Sequence, residues 1–165
     1  MNWTRAYRTV FSLRDRIASY GEAGCDMGTK PSVVEFFNSV TEWAQNQFAI
    51  SGVALVGSHA RGEARPDSDI DLVLLCDDPQ VFLSDMSWIE RFGNVESCQT
   101  EDWGMVTSLR VHYRHGLEVE FGMTTTAWAG LPIDPGTKSV VMNGMRILMD
   151  RNGELSQLWQ MVSAL

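Results

Sequence analysis

The residues able to do chemistry concentrate in one stretch, Gly57-Ser58-His59-Ala60-Arg61-Gly62 followed by Glu63-Ala64-Arg65-Pro66-Asp67-Ser68-Asp69-Ile70-Asp71-Leu72. Ahead of it, Val53-Ala54-Leu55-Val56 is a short apolar run that reads as a buried strand, which Gly57 and Ser58 end by turning the chain. Such a turn exposes backbone N–H groups at the start of a short helix, where an anion can sit, and the Ser58 hydroxyl adds a donor. Gly62 permits a second tight turn. Asp69 and Asp71 lie two residues apart at the mouth of the next apolar run, Ile70 to Leu75, so they point to the same side of a sheet. Two carboxylates at one sheet edge repel each other unless a divalent cation lies between them, and hard oxygen donors of this kind suit Mg2+ bridging to substrate phosphates.

The combination resembles the DNA polymerase beta-type nucleotidyltransferase superfamily. Its signature is a Gly-Ser turn, a downstream glycine, and then Ser-Asp-x-Asp-hydrophobic on the following strand. Here these are Gly57-Ser58, Gly62 and Ser68-Asp69-Ile70-Asp71-Leu72. Six such identities in order arise by chance about once in 10^5 chains of average composition. The family's third carboxylate sits on a later, adjacent strand between apolar neighbours; Val119-Glu120-Phe121 matches best, with Leu117-Glu118-Val119 one pleat away. The resemblance spans residues 53–121 of a chain expected to form one domain over 1–165. Outside that span there is a general likeness to short bacterial members, the minimal nucleotidyltransferases of toxin–antitoxin pairs and the antibiotic-modifying adenylyltransferases.

The resemblance implies an α/β (α+β) nucleotidyltransferase fold and a role for each matched residue. Asp69 and Asp71 would ligate two Mg2+ ions, and Glu120 would complete the metal site and accept the proton of an acceptor hydroxyl. Gly57 and Ser58 would hold the triphosphate of ATP, with Arg61 and Ser68 as further nucleotide contacts. The implied reaction is in-line transfer of a nucleoside monophosphate, AMP first among them, to a hydroxyl on a small molecule or a partner protein, with release of pyrophosphate. The alternative is a non-catalytic binding module that keeps the fold as an antitoxin or scaffold.

Plainer readings stand beside several of these residues. Asp69-Ile70-Asp71 taken alone is an ordinary turn into a strand, and Ser68 reads equally well as a turn cap. Glu118 reads better as a solvated strand residue paired with His112. Arg61, Arg65 and His59 can contact phosphates or face solvent, Lys138 has a weaker claim, and the six tryptophans and nine methionines are chiefly core.

The elements that must position these residues follow from hydrophobic periodicity. Apolar residues recur with helical spacing from Trp3 to Tyr20, and Gly21 to Pro31 reads as a loop. Ser32 with Glu35 makes a capping box for a second helix carrying Val33, Phe36, Phe37, Val40, Ala44 and Phe48 on one face and ending near Ile50. Beyond the motif, Asp78-Pro79 opens a helix expected to reach Phe92, and strands are expected over Trp103–Tyr113 and Leu117–Met123. Ser139–Met142 and Met145–Met149 flank Asn143-Gly144 as a hairpin. A closing helix begins at Glu154 with Leu155, Leu158, Trp159 and Val162 on one side. Together these give one mixed sheet packed with helices.

One register is also readable. Val111 and Tyr113 alternate with Arg110 and His112, while Leu117, Val119 and Phe121 alternate with Glu118 and Glu120. Matching the apolar faces requires a three-residue turn, Arg114-His115-Gly116, which sets Arg110 opposite Glu120 and His112 opposite Glu118.

Composition sets the remaining bounds. With 165 residues, 44% of them hydrophobic and 21% charged, the chain fits a folded domain and excludes disordered or coiled-coil classes. Thirteen basic against twenty-one acidic residues leave a net charge of -8, which repels phosphate backbones and argues against nucleic acid as a partner. No apolar run approaches membrane length, and Arg5 and Arg8 among polar neighbours do not make a secretory signal. The odd, widely spaced Cys25, Cys76 and Cys98 point to reduced thiols in the cytoplasm and away from zinc. The acceptor site could be built by a partner or a second subunit, which makes a homodimer one expectation.

Overall fold

A computed structural model describes residues 29–165; the helix expected over Trp3–Tyr20 and Cys25 lie outside them. Helix α1 (Val33–Gln45) starts at the expected capping box, in which the Ser32 hydroxyl accepts from the Glu35 N–H at 3.2 Å and the Glu35 carboxylate accepts from the Ser32 N–H at 2.7 Å. Its buried face is Phe36, Val40, Trp43 and Ala44. The helix stops earlier than its apolar spacing suggests. Asn46 caps it, so Phe48 falls in a turn and is 95% exposed instead of continuing the core stripe.

The chain then enters β1 (Ile50–Val56), turns through the five-residue α2 (Gly57–Arg61), and returns in β2 (Ile70–Cys76). Short α3 (Pro79–Ser84) and a 3-10 turn (Ser87–Phe92) replace the single helix expected from Asp78 to Phe92. The break comes at Asp85, which leaves helical geometry with φ -118° and ψ 98° and accepts from the Ser87 N–H at 3.0 Å. Three strands follow, β3 (Val95–Asp102), β4 (Thr107–Tyr113) and β5 (Glu118–Thr124). The strand expected to begin at Trp103 begins at Thr107, because the Trp103 N–H to Val106 carbonyl bond closes a turn between β3 and β4.

A 3-10 turn (Thr126–Ala129) leads to α4 (Pro135–Met142), β6 (Met145–Asp150) and α5 (Glu154–Ser163). The hairpin expected around Asn143-Gly144 is therefore a helix-to-strand corner. Asp134 caps the Thr137 N–H at 3.0 Å and Pro135 occupies the first helical position, so Ser139–Met142 is helical. On α5, Leu155, Leu158 and Val162 are buried, whereas Trp159 is 42% exposed and not part of the apolar stripe.

Among the described residues six strands form one mixed sheet in the order β3-β4-β5-β2-β1-β6. β2 and β5 run parallel; the remaining neighbours are antiparallel. Alternation along the central strands sends side chains to two cores. One holds Val53, Leu55, Ile70, Leu72, Leu74, Val119 and Phe121 against α1 and the Ser87–Phe92 turn. The other holds Ala54, Val56, Val73 and Leu75 against Trp128, Val141 of α4 and Leu155 and Leu158 of α5. On this second face the apolar packing lies over β6, β1 and β2. Followed onto β5 and β4, the same face carries Glu118, Glu120, Ser108 and Arg110, and a site opens there.

Candidate active site

The parallel pairing of β2 with β5 sets Asp71 beside Glu120, and Asp69 lies immediately before β2 on the same side. One carboxylate oxygen from each of Asp69, Asp71 and Glu120 lies within 4.8 Å of the others. Glu118 is turned to other partners, accepting from Arg110 at 2.9 Å and lying 3.7 Å from His112 Nδ1. The register read from the sequence is the one observed, with Arg110 opposite Glu120 and His112 opposite Glu118. The connecting turn is also as expected: the Tyr113 N–H donates to the Leu117 carbonyl and Gly116 has φ +97°.

Packing three carboxylates into this corner carries an electrostatic cost. Burial, reinforced by the charges of Asp69 and Glu120, pushes the Asp71 carboxyl up to about 7. Burial also raises Glu120, against the opposing pull of Arg110. Arg110 is the cation that answers the cluster. Its Nη1 lies 3.2 Å from Asp69 and 2.9 Å from Glu118, its Nε lies 3.2 Å from Glu101, and its Nη2 donates to Glu120. Burial alone would lower the guanidinium's proton affinity, but the Glu120 charge and the bonds to Glu118 and Glu101 outweigh it and raise it.

Gly57 opens α2 with φ +71°, a left-handed conformation open to glycine at little cost. The first turn of α2 has no side-chain cap, so its N–H groups are not claimed by a capping side chain. Gly62 ends the helix in the left-handed region at φ +73°. Arg61 reaches the cavity rim, paired with Glu63 at 2.8 Å and donating to the Asn143 carbonyl at 3.3 Å. Ser58 is half-buried and its carbonyl accepts from the Glu63 N–H at 3.0 Å. The Ser68 hydroxyl accepts from the Arg65 N–H at 2.8 Å and so closes the loop. Neither Ser58 nor Ser68 lines the cavity, nor do His59, Arg65 and Lys138.

The cavity measures about 1110 Å³, ample for a nucleotide together with a small acceptor. Asp69, Asp71, Glu120, Arg110, Gly57 and Arg61 line one part of it. Trp103, Met105, Val106, Trp128 and Val140 give it apolar walls, with Glu101, Asp134, Thr137 and Asn143 between them. Two features escaped sequence reasoning. Glu101 was missed because β3 was not read as a strand, and Arg110 was placed opposite Glu120 without its sharing among four carboxylates being visible. Reading Gln99 and Glu101 as one face of a strand beside β4 would have found both.

The arrangement can hold a divalent cation on hard oxygen donors and set it beside uncapped N–H groups suited to phosphate. Comparison with known proteins bears on what it does. A family model described as streptomycin adenylyltransferase matches residues 32–124, the stretch from the α1 cap to the end of β5. No curated protein matches the chain. Among solved structures, the chain is similar to an aminoglycoside 6-adenyltransferase from Bacillus subtilis, with 15% identity and a TM-score of 0.44 over 57% of this chain. The chain covers 36% of that protein's length.

Proposed function

The chain belongs to the streptomycin adenylyltransferase family, and we propose that it transfers AMP from ATP to a hydroxyl of a small, cationic acceptor in a Mg2+-dependent reaction that releases pyrophosphate. The observation that carries this reading is the convergence of Asp69, Asp71 and Glu120 at the cavity wall. Their donor set fits Mg2+: three carboxylate oxygens on two neighbouring strands, within 4.8 Å of one another, whose mutual repulsion a cation would relieve. Bound there, Mg2+ would supply charge neutralisation for the triphosphate and the pyrophosphate leaving group.

The chain's own residues do the positioning. The N–H of Gly57, on the cavity wall at the start of α2, holds the triphosphate, Gly57 keeps the backbone close to Asp71, and Arg61 at the rim offers a further phosphate contact, while Ser58 continues the turn behind the wall. Ser68 contributes through the loop it closes. Glu120, whose proton affinity burial has raised, accepts the proton of the acceptor hydroxyl as it attacks in line at the α-phosphorus. An acceptor carrying positive charge is supported by the acidic residues Glu101 and Asp134 along the wall and by the net charge of -8.

The test is pyrophosphate release from each nucleoside triphosphate with Mg2+ and a panel of aminoglycoside-like and uncharged polyols. Release with ATP and a cationic acceptor, abolished in Asp69→Asn, supports the reading. Tight ATP binding with no turnover on any acceptor would favour the non-catalytic module.

A further inference from the structure

Four carboxylates, those of Asp69, Glu101, Glu118 and Glu120, surround the guanidinium of Arg110. The pairs with Glu101 and Glu120 are not surface pairs, the side chain of Arg110 being 23% exposed, that of Glu101 13% and that of Glu120 17%, whereas Asp69 and Glu118 are more open. The contacts divide into two kinds. Glu101 and Glu118 hold Arg110 from outside the candidate metal ligands, through Nε at 3.2 Å and Nη1 at 2.9 Å. Asp69 and Glu120 are themselves two of the three candidate ligands, and Arg110 takes oxygens on both.

A guanidinium so placed does two things. It fixes Asp69 and Glu120 in position when their own repulsion would drive them apart. It also engages one oxygen on each of two candidate ligands and puts a positive charge beside the place where another would go. We propose that Arg110 is a positioning residue that acts as the resident counter-cation of the site, assembling Asp69 and Glu120 before metal arrives and competing with the incoming divalent cation for their oxygens. Glu101 and Glu118 then retain the displaced guanidinium beside the site. The inference rests on the reading of Asp69, Asp71 and Glu120 as metal ligands.

The series Arg110→Gln and Arg110→Lys in the full chain tests it, with Mn2+ as the probe and free Mn2+ read by electron paramagnetic resonance. Gln removes the charge and the fork; Lys keeps the charge but cannot span several carboxylates. Mn2+ affinity is expected to rise in the order wild type, Lys, Gln, with the Gln variant roughly tenfold tighter than wild type. Its melting temperature in chelator should fall while its Mn2+-induced rise grows. An arginine that only assembles the ligands and does not compete with the metal would give the opposite, weaker binding in both variants. Equal or weaker Mn2+ binding in either folded variant overturns the proposal while leaving the metal site intact; should the Gln variant not fold, the Lys variant alone decides. No Mn2+ bound by wild type or variants removes the site itself, and the proposed function with it.

Discussion

Gly57 and Asp71 approach so closely that a Cβ on Gly57 would overlap the Asp71 carboxylate oxygen. The turn that ends β1 and the carboxylate that opens β2 are thus one steric unit, and the antiparallel register of Val56 with Asp71 sets it. Glycine is required twice over, by space and by φ +71°.

Replacing Gly57 with alanine should therefore do more than strain the backbone. The left-handed conformation alone costs about 1–2 kcal/mol, and the methyl must also push Asp71 aside. Gly62 provides the control, having a similar φ of +73° but nothing within 4 Å of its missing Cβ. Urea unfolding is expected to show a loss of about 1 kcal/mol for Gly62→Ala with turnover retained, and a larger loss for Gly57→Ala with turnover abolished. Equal effects of the two substitutions would separate Gly57 from Asp71.

The two glutamates of β5 should differ sharply. Glu120 shares the site with the aspartates, whereas Glu118 is bound to Arg110 and lies near His112. Glu120→Gln should lower kcat by at least about 10^2-fold, the scale of a lost proton acceptor. Glu118→Gln should remain within about tenfold of wild type, since it removes one support of Arg110 and no candidate ligand. Steady-state kinetics at saturating ATP and Mg2+ would distinguish them; a larger loss at Glu118 would exchange their roles.

How far these relationships were legible in the sequence depended on how strongly the pattern was forced. The β4–β5 register was readable because apolar and polar residues alternate on both strands and only a three-residue turn aligns them. β3 was not, because Val95–Asp102 is mostly polar and half-exposed at the sheet edge, and so Glu101 went unseen. Around Asn143-Gly144 the β-branched Val140-Val141 suggested a strand, yet the stronger signal lay upstream in Asp134-Pro135. Phe48 and Trp159 fit helical spacing and are nonetheless exposed, since periodicity does not show where a helix stops or what its face meets.

The closing helix depends on a residue ahead of its nominal cap. Gly153 at the cap position has no side chain, and Asp150 at the end of β6 accepts from the N–H groups of Gly153, Leu155 and Ser156 and from the Ser156 hydroxyl at 2.6–3.3 Å. Asp150→Ala should destabilise the protein by about 1–2 kcal/mol without altering the Mg2+ dependence of what remains folded. Chemical denaturation measures the first, and metal titration of the folded fraction the second.

Asp71 gives stability a pH dependence of defined sign. Its carboxyl is raised from 3.8 to about 7 in the folded chain, with burial the leading cause, so between those values the folded state binds more protons than the unfolded. Stability of the metal-free protein should then fall as pH rises from about 4 to about 7 through this group. Mg2+ should oppose the fall and stabilise more at pH 7 than at pH 5. Urea midpoints in chelator and in Mg2+ across this range test it; a metal-free midpoint that climbs steadily toward pH 7 would contradict the assignment.

The most direct measurement follows the phosphorus. Reacting the purified chain with Mg2+, a cationic hydroxyl acceptor and ATP labelled either at the α- or the γ-phosphorus distinguishes nucleotidyl from phosphoryl transfer. Label should pass to the acceptor from the α position and appear in pyrophosphate from the γ position, with both products lost in Asp69→Asn and Asp71→Asn. Acceptor labelled from the γ position, or α-label transfer that survives the loss of both aspartates, would contradict the three-carboxylate site as the seat of the reaction.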